Sequence, residues 1–389
     1  MIDVDISNVW GAMSLPDLLN AEARINAAHR KLLDEQGNFR MPLPREETLQ
    51  QLEAAAEKIR RESDVLVVLG MGPGCRCARG TVELLLGQNW NDGRGRGNPG
   101  ILYAGSDFSS RRWSALLKSL EGKDFSVYVL PGEKEEPETM VALRSLKWNL
   151  ERRYGTDGAR ERIYAAGGSG VLARISREEG WTCFEAPSSA LLEAGMLLIP
   201  AVAGLNIREL LSGIHEMLDQ CALLSYENPL WLYVGAREGL LGRGKHIEHL
   251  RCLEQDFWEL GIWWQSMAAR TDSRGPFPVN AVADGADVLP LDHQDSVFET
   301  LVQFAPPEKQ IFIREDVRNI DGLNELAGRS LEQLQEARRR ALVEAGEEAG
   351  LGIVSIRFEE LTEKTLGGLL CFFGLACAMS ALIRTQPEE

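Results

Sequence analysis

Histidine is scarce here, five residues in 389, and cysteine never forms the repeated C-x-x-C pairs of a structural zinc site. The seven cysteines stand at 75, 77, 183, 221, 252, 371 and 377, so Cys75-x-Cys77 is their one close pair. That spacing suits free thiols in a reducing cytoplasm better than a disulfide frame. Basic charge is also short, with 42 Lys and Arg against 58 Asp and Glu, a net −16. Such a balance argues against nucleic acid or an anionic membrane as the main partner. The opening stretch MIDVDISNVW lacks the basic segment that starts a signal peptide, so none is expected. One long apolar run remains, 365-TLGGLLCFFGLACAMSALI-383, uncharged over 19 residues and close to the ~20 that cross a bilayer. Its Gly, Ala, Ser and Cys content and its isolation favour a core helix buried in a soluble domain over a membrane span. A cytoplasmic protein is the expectation.

What is present is ordinary globular composition, 44% hydrophobic and 26% charged. A chain of 389 residues exceeds the ~250–300 that one core usually serves, which predicts two domains, drawn at 1–204 and 205–389. Residues 1–60 read as helical, with 46-EETLQQLEAAAEKIRRESD-64 strongly amphipathic. Strands at 65–69, 101–105, 125–130, 162–166 and 182–186 then alternate with helices at 110–120, 136–155 and 170–180. A long apolar helix at 189–204 closes the first half. The second half predicts a helix at 228–243, a strand at 245–251, a Trp-rich helix at 254–269 and a loop through 271–292. Strands at 297–304 and 310–315, a helix at 329–350 and a strand at 352–358 follow. This alternation predicts an α/β fold of two units, each a mainly parallel sheet flanked by helices.

The stretch 65-VLVVLGMGPGCRCARG-80 carries the clearest local signal. A buried strand meets a turn crowded with Gly70, Gly72 and Gly74, and a helix begins beyond it. Backbone N–H groups and a helix N-terminus there make an anion cradle. The spacing is G-x-G-x-G, not the dinucleotide fingerprint, and the same glycines also serve a tight strand-to-helix connection on steric grounds alone. No cofactor is expected. Ligands of open parallel sheets lie beyond the strands' carboxyl ends, where this turn and the loop 131-PGEKEEPE-138 share one rim.

Several segments resemble the glucose-6-phosphate isomerase family: 55-AAEKIRRESDVLVVLGMG-72, 98-NPGILYAGSDFSSRRW-113, 122-GKDFSVYVL-130, 227-ENPLWLYVGAREGLLGRGKHIEHL-250, 297-VFETLV-302, 320-IDGLNELAGRS-330 and 370-LCFFGLACAMSALI-383. They run in order along nearly the whole chain. The resemblance implies two sugar-isomerase domains and a homodimer acting on a sugar or sugar phosphate. It also implies aldose–ketose isomerisation, which needs a base near C2, a ring-opening acid–base group and donors for the phosphate.

The family's site motifs are altered. Its G-x-G-G-S loop reads Gly70-Met71-Gly72-Pro73-Gly74, without the serine. Its S-x-S-G-T-T-T-E-P phosphate loop reads 131-PGEKEEP-137, where Glu133, Glu135 and Glu136 surround Lys134. Its G-G-R-[FY]-S segment reads 186-APSSALLEAG-195, leaving Ser188 and Ser189 as the polar groups. The loop that carries the family's base, after Trp263 and Trp264, reads 265-QSMAARTDSRGPFP-278 and has no glutamate. Its histidine-bearing segment reads 282-VADGADVL-289, and its C-terminal lysine motif is expected to be lacking where the chain reads 384-RTQPEE-389.

The expected ligand contacts are therefore Gly72, Gly74, Arg76, Lys134, Ser188 and Ser189. No family catalytic group is intact; Asp284 and His293 are the substitutes considered, with Asp287 beside the first. Arg76 and Arg79 flank the glycine turn and suit an anion, though surface ion pairs are the simpler reading. His29 and His215 read as helix packing or surface residues, and His246 and His249 as poor metal ligands beside a strand. Trp258, Trp263 and Trp264 have the spacing of a buried helix face. The combined expectation is an impaired or inactive family member serving as a sensor or regulatory subunit. The alternative is an active isomerase with relocated groups.

Overall fold

A computed structural model describes residues 2–34, 39, 43–95, 97–132, 136–167, 170–184, 194–282 and 295–385. The chain divides into two compact units, a continuous one, Met41–Leu211, and a discontinuous one formed by Met1–Arg40 with Ser212–Glu389.

The N-terminal stretch contributes β1 (Ile2–Asn8) and α1 (Leu15–Leu32). The continuous unit runs α2 (Glu46–Glu62), β2 (Val65–Leu69), α3 (Pro73–Leu86), β3 (Gly100–Ala104), α4 (Ser110–Ser119), β4 (Phe125–Val129), α5 (Pro137–Arg160), β5 (Ile163–Ala166), α6 (Gly170–Glu179), β6 (Thr182–Phe184) and α7 (Leu198–Ala203). Then α8 (Ile207–Ala222) spans the division. It leads to α9 (Pro229–Gly242), β7 (Ile247–Cys252), α10 (Trp258–Thr271), β8 (Phe277–Asn280), β9 (Val297–Phe304), α11 (Leu331–Glu348), β10 (Gly352–Phe358) and α12 (Glu363–Arg384).

The continuous unit's sheet is wholly parallel, in the order β3-β2-β4-β5-β6. Every residue of β2 and β4 is buried, as a sheet covered on both faces requires. In α2, Leu49, Leu52, Ala55, Ala56 and Ile59 are buried at helical spacing, so the predicted stripe does face the interior. The predicted end of the 136–155 helix falls at Gly155, whose φ of 71° breaks α5 before its last turn.

The discontinuous unit's sheet has the order β1-β10-β9-β7-β8, with β1 antiparallel to β10 and the other pairs parallel. Residues 1–8 were expected to be helical, but Ile2 and Val4 are buried while Asp3 is exposed, the period of an edge strand. The pairing of β1 with β10 places residues 1–40 with the C-terminal residues, whereas the predicted boundary kept them with the first domain. β8 lies inside the predicted loop 271–292; its Pro278 is tolerated because the strand sits at the sheet edge. No strand forms at 310–315, where Ile311 and Phe312 are exposed and Phe312 makes one isolated bridge to Ser330. Residues 189–193 of the long helix expected at 189–204 lie outside the described residues; the rest is a 3-10 turn, Ala194–Leu197, and α7, ended by Gly204 at φ 97°.

The apolar run is α12, interior to its unit and packed against α1, α9 and α10, with Leu366 through Cys377 all buried. Trp263 and Trp264 are buried in α10, but Trp258 is 43% exposed, because it stands on the first turn and faces outward.

Candidate functional site

The crevice of interest lies where β2 and β4 end. β2 is followed by a crossover to β3 on one side and β4 by a crossover to β5 on the other, so the two neighbours part at their carboxyl ends. Such a switch point leaves a gap over the sheet into which loops project.

Glycine is obligatory on the β2 side. A Cβ on Gly70, whose φ is 153°, would stand 1.9 Å from the Leu130 carbonyl oxygen. A Cβ on Gly72 would stand 2.6 Å from the Gly132 Cα, so the two loops meet backbone to backbone. Gly70 N–H donates to the Ala104 carbonyl (3.3 Å) and Leu130 N–H to the Leu69 carbonyl (2.8 Å), which uses these amides inside the sheet rather than on a ligand. Gly72 is the N-cap of α3 without a side-chain cap, and Pro73 fills N1, where its missing N–H costs nothing. Gly74 and Arg76 lie in the first turn; Arg76 is half-buried and already engaged by neighbours. Arg79 is committed elsewhere, its Nε 2.7 Å from Glu83 and its guanidinium 5.2 Å from the Tyr103 ring centre.

On the β4 side, Glu136 is the N-cap residue of α5. Its Oε1 comes within 2.6 Å of the place a Cβ on Gly132 would occupy. Its Oε2 is shielded from solvent and has no hydrogen-bond partner among the described residues. The carboxylate thus lies back against Gly132 at a helix N-terminus, whose dipole favours negative charge. Behind it, Thr139 Oγ1 donates to the Gly105 carbonyl (3.1 Å), tying α5 to the end of β3. Tyr128 donates its hydroxyl proton to the Gly195 carbonyl, tying down the segment that enters the 3-10 turn.

Of the expected contacts, Gly72, Gly74 and Arg76 come together at this crevice. Lys134, Ser188, Ser189, Asp284, Asp287 and His293 lie outside the described residues, as do Glu133 and Glu135. The remaining histidines behave as packing or surface groups. His29 is buried with Nε2 2.7 Å from the Cys221 carbonyl, and His215 and His246 are exposed. His249 sits in β7, where burial holds its pKa below the usual value. No group of three metal-ligating side chains occurs among the described residues. Sequence reasoning counted Glu136 merely as one acid among several; its position as the α5 N-cap, directly before Pro137, was the available signal.

Two units, each built on a mainly parallel sheet flanked by helices, the first with a glycine turn at its switch point, define a protein of the sugar-isomerase fold. A hypothetical protein of Thermus thermophilus superposes with a TM-score of 0.83 at 18% identity, covering 98% of this chain and 94% of its own. A glucose-6-phosphate isomerase of Chlamydia trachomatis gives 0.68 at 11% identity, covering 94% and 80%. No family profile matches the chain. Whole-chain likeness is stronger: a glucose-6-phosphate isomerase of Clostridium perfringens strain 13 is 31% identical over 407 residues, covering 98% of this chain and 90% of its own length. One from Bacillus cytotoxicus is 32% identical over 358 residues, covering 87% and 79%. The chain belongs to the glucose-6-phosphate isomerase family.

Proposed function

We propose that this chain is a catalytically impaired member of its family that works in the cytoplasm, as a homodimer, as a sensor or regulatory subunit for a sugar-related ligand. One observation carries the reading. Loop 131–137 carries Glu133 and Glu135 where the family motif has threonine hydroxyls, and Glu136, in the place of that motif's own Glu before Pro, lays its carboxylate against Gly132 at the N-terminus of α5. The protein's own anion takes the place of the ligand's. Two like charges about 4 Å apart repel by about 4 kcal/mol at an effective dielectric of 20, so a phosphate dianion meets a large opposing term there. The altered loop 265–278, without a glutamate, supports the loss of proton transfer as well.

The test is a coupled assay for conversion of glucose 6-phosphate to fructose 6-phosphate, run beside a thermal shift. The expected result is no turnover above background and no rise in Tm at millimolar glucose 6-phosphate, because only a ligand that binds the folded state stabilises it. Replacing loop 131–137 with a serine- and threonine-rich version is expected to gain some response to phosphate and still no turnover. A rate on the order of 10 s⁻¹, usual for enzymes, would overturn the proposal in favour of an active isomerase with relocated groups.

A further inference from the structure

The second sheet has its own switch point. β7 is followed by a crossover to the outer strand β8, and β9 by a crossover to β10 on the opposite side, while β7 and β9 are neighbours. By the same topological rule their carboxyl ends should frame a crevice. A cleft of ≈ 100 Å³ lies there, between Leu253–Glu254 after β7, Gln303–Pro307 at the end of β9, and the first two turns of α11.

Its polar groups are of two kinds. Some are already satisfied: Gln335 Nε2 donates to Glu254 Oε1 at 2.9 Å, and Arg339 holds both oxygens of Glu336 at 2.6 Å. Two are not. Gln303 Nε2, a donor, and Glu332 Oε2, an acceptor, are both shielded from solvent without a hydrogen-bond partner among the described residues. A buried polar group without a partner is unfavourable, so a ligand that completes either bond gains from it. Both groups hang on terminal sp³–sp² torsions, which are broad, so a small rotation brings either into the cleft.

This pairing selects among ligands. A cation can donate to Glu332 but cannot accept from Gln303. An anion can accept from Gln303 but meets Glu254, Glu332 and Glu336 against the single Arg339. A hydroxyl group donates and accepts, and so satisfies both. Phe304 and Pro306 add an apolar wall for carbon-bound hydrogens. A dry cavity of about 150 Å³ takes a benzene ring, so this cleft suits a small polyol or one edge of a sugar. We propose that the β7/β9 cleft is a binding site for a neutral vicinal diol, with Gln303 as donor and Glu332 as acceptor. It is independent of the reading of the β2/β4 crevice.

The test uses erythritol and unphosphorylated glucose as probes, with methyl phosphate and methylammonium as controls, followed by saturation-transfer NMR on the full chain. Saturation transfer to at least one diol, absent for both controls, is expected. Gln303→Leu and Glu332→Gln should each weaken that binding about tenfold, with native circular dichroism retained. The conservative Gln303→Asn is expected to keep part of it, so loss through misfolding is separable from loss of the donor. No transfer to either diol, equal transfer to methyl phosphate, or undiminished binding in both variants would each overturn the proposal, the last two leaving only adventitious binding.

Discussion

A single residue can be judged by what it would leave behind if removed, and Glu248 is the sharpest case in the molecule. It is fully buried on β7 and accepts from Tyr233 (2.6 Å), Thr300 (2.7 Å) and Arg237 Nε (2.8 Å). Arg237 is itself 2% exposed and donates onward to Ser380 at 2.6 Å. Burial, and then the negative charge of the adjacent Glu248, hold the Tyr233 hydroxyl firmly protonated, so it donates and Glu248 receives. Glu248→Leu leaves the buried guanidinium its longer contact with Asp272 at 4.0 Å in place of its closest counter-charge and is expected to destabilise by about 3–5 kcal/mol, whereas Glu248→Leu with Arg237→Leu should recover much of that loss. Chemical denaturation of both variants checks the sign. A double variant worse than the single one would show that the pair contributes more than mutual neutralisation. Nothing in the sequence paired these two positions: they are 11 residues apart, on a helix and a strand, and only the fold aligns them.

At the scale of elements, legibility followed periodicity. The buried five-residue strands β2 and β4, apolar but for the hydroxyls of Ser126 and Tyr128, and the α2 stripe were plain because burial on both faces, or on one helical face, dictates residue type directly. Two of the four edge strands, β1 and β8, were missed for a related reason. β1 and β8 are half-covered, so their sequences mix Asp, Pro and Asn with apolar residues and imitate loops or helix starts. The reverse error occurred at 310–315, where apolar residues in sequence are not buried in space. The candidate site was legible in outline only. Glycine turn and loop could be placed on one rim, but which carboxylate would fold back depended on the α5 cap.

Helix contacts also make opposite predictions for one kind of substitution. In α8, a Cβ on Gly213 would stand 1.7 Å from the Lys364 carbonyl oxygen at the start of α12, so Gly213→Ala must push two helices apart. A loss of about 1–3 kcal/mol or more is expected. In α9, Gly242 has nothing within 4 Å of its would-be Cβ, so Gly242→Ala should stabilise by roughly 0.5–1 kcal/mol through reduced backbone entropy. Thermal melts of the two variants should move in opposite directions; movement in the same direction would contradict the helix packing described.

For the whole molecule, the cysteines turn two-unit architecture into a measurement. Six of the seven thiols are buried, and Cys183 alone is half-exposed. Burial pushes the Cys221 and Cys377 thiols up to about 12 and raises those of Cys252 and Cys371 as well, so none of these four carries thiolate at neutral pH. Native protein should therefore react with iodoacetamide at Cys183 and leave the six buried positions unmodified. Cys75 and Cys77 belong to the continuous unit, and Cys221, Cys252, Cys371 and Cys377 to the discontinuous one. Each unit has its own sheet, and loss of a sheet exposes every thiol packed on it. Labelling pulses along a urea series, read by mass spectrometry, should show Cys75 and Cys77 gaining reactivity together, and the other four gaining it together. Because α8 joins the units, its Cys221 is the sensitive member. If Cys221 became reactive with the first pair instead of with Cys252, Cys371 and Cys377, residues 1–40 and 212–389 would not open as one unit, and the division drawn here would have to move along α8.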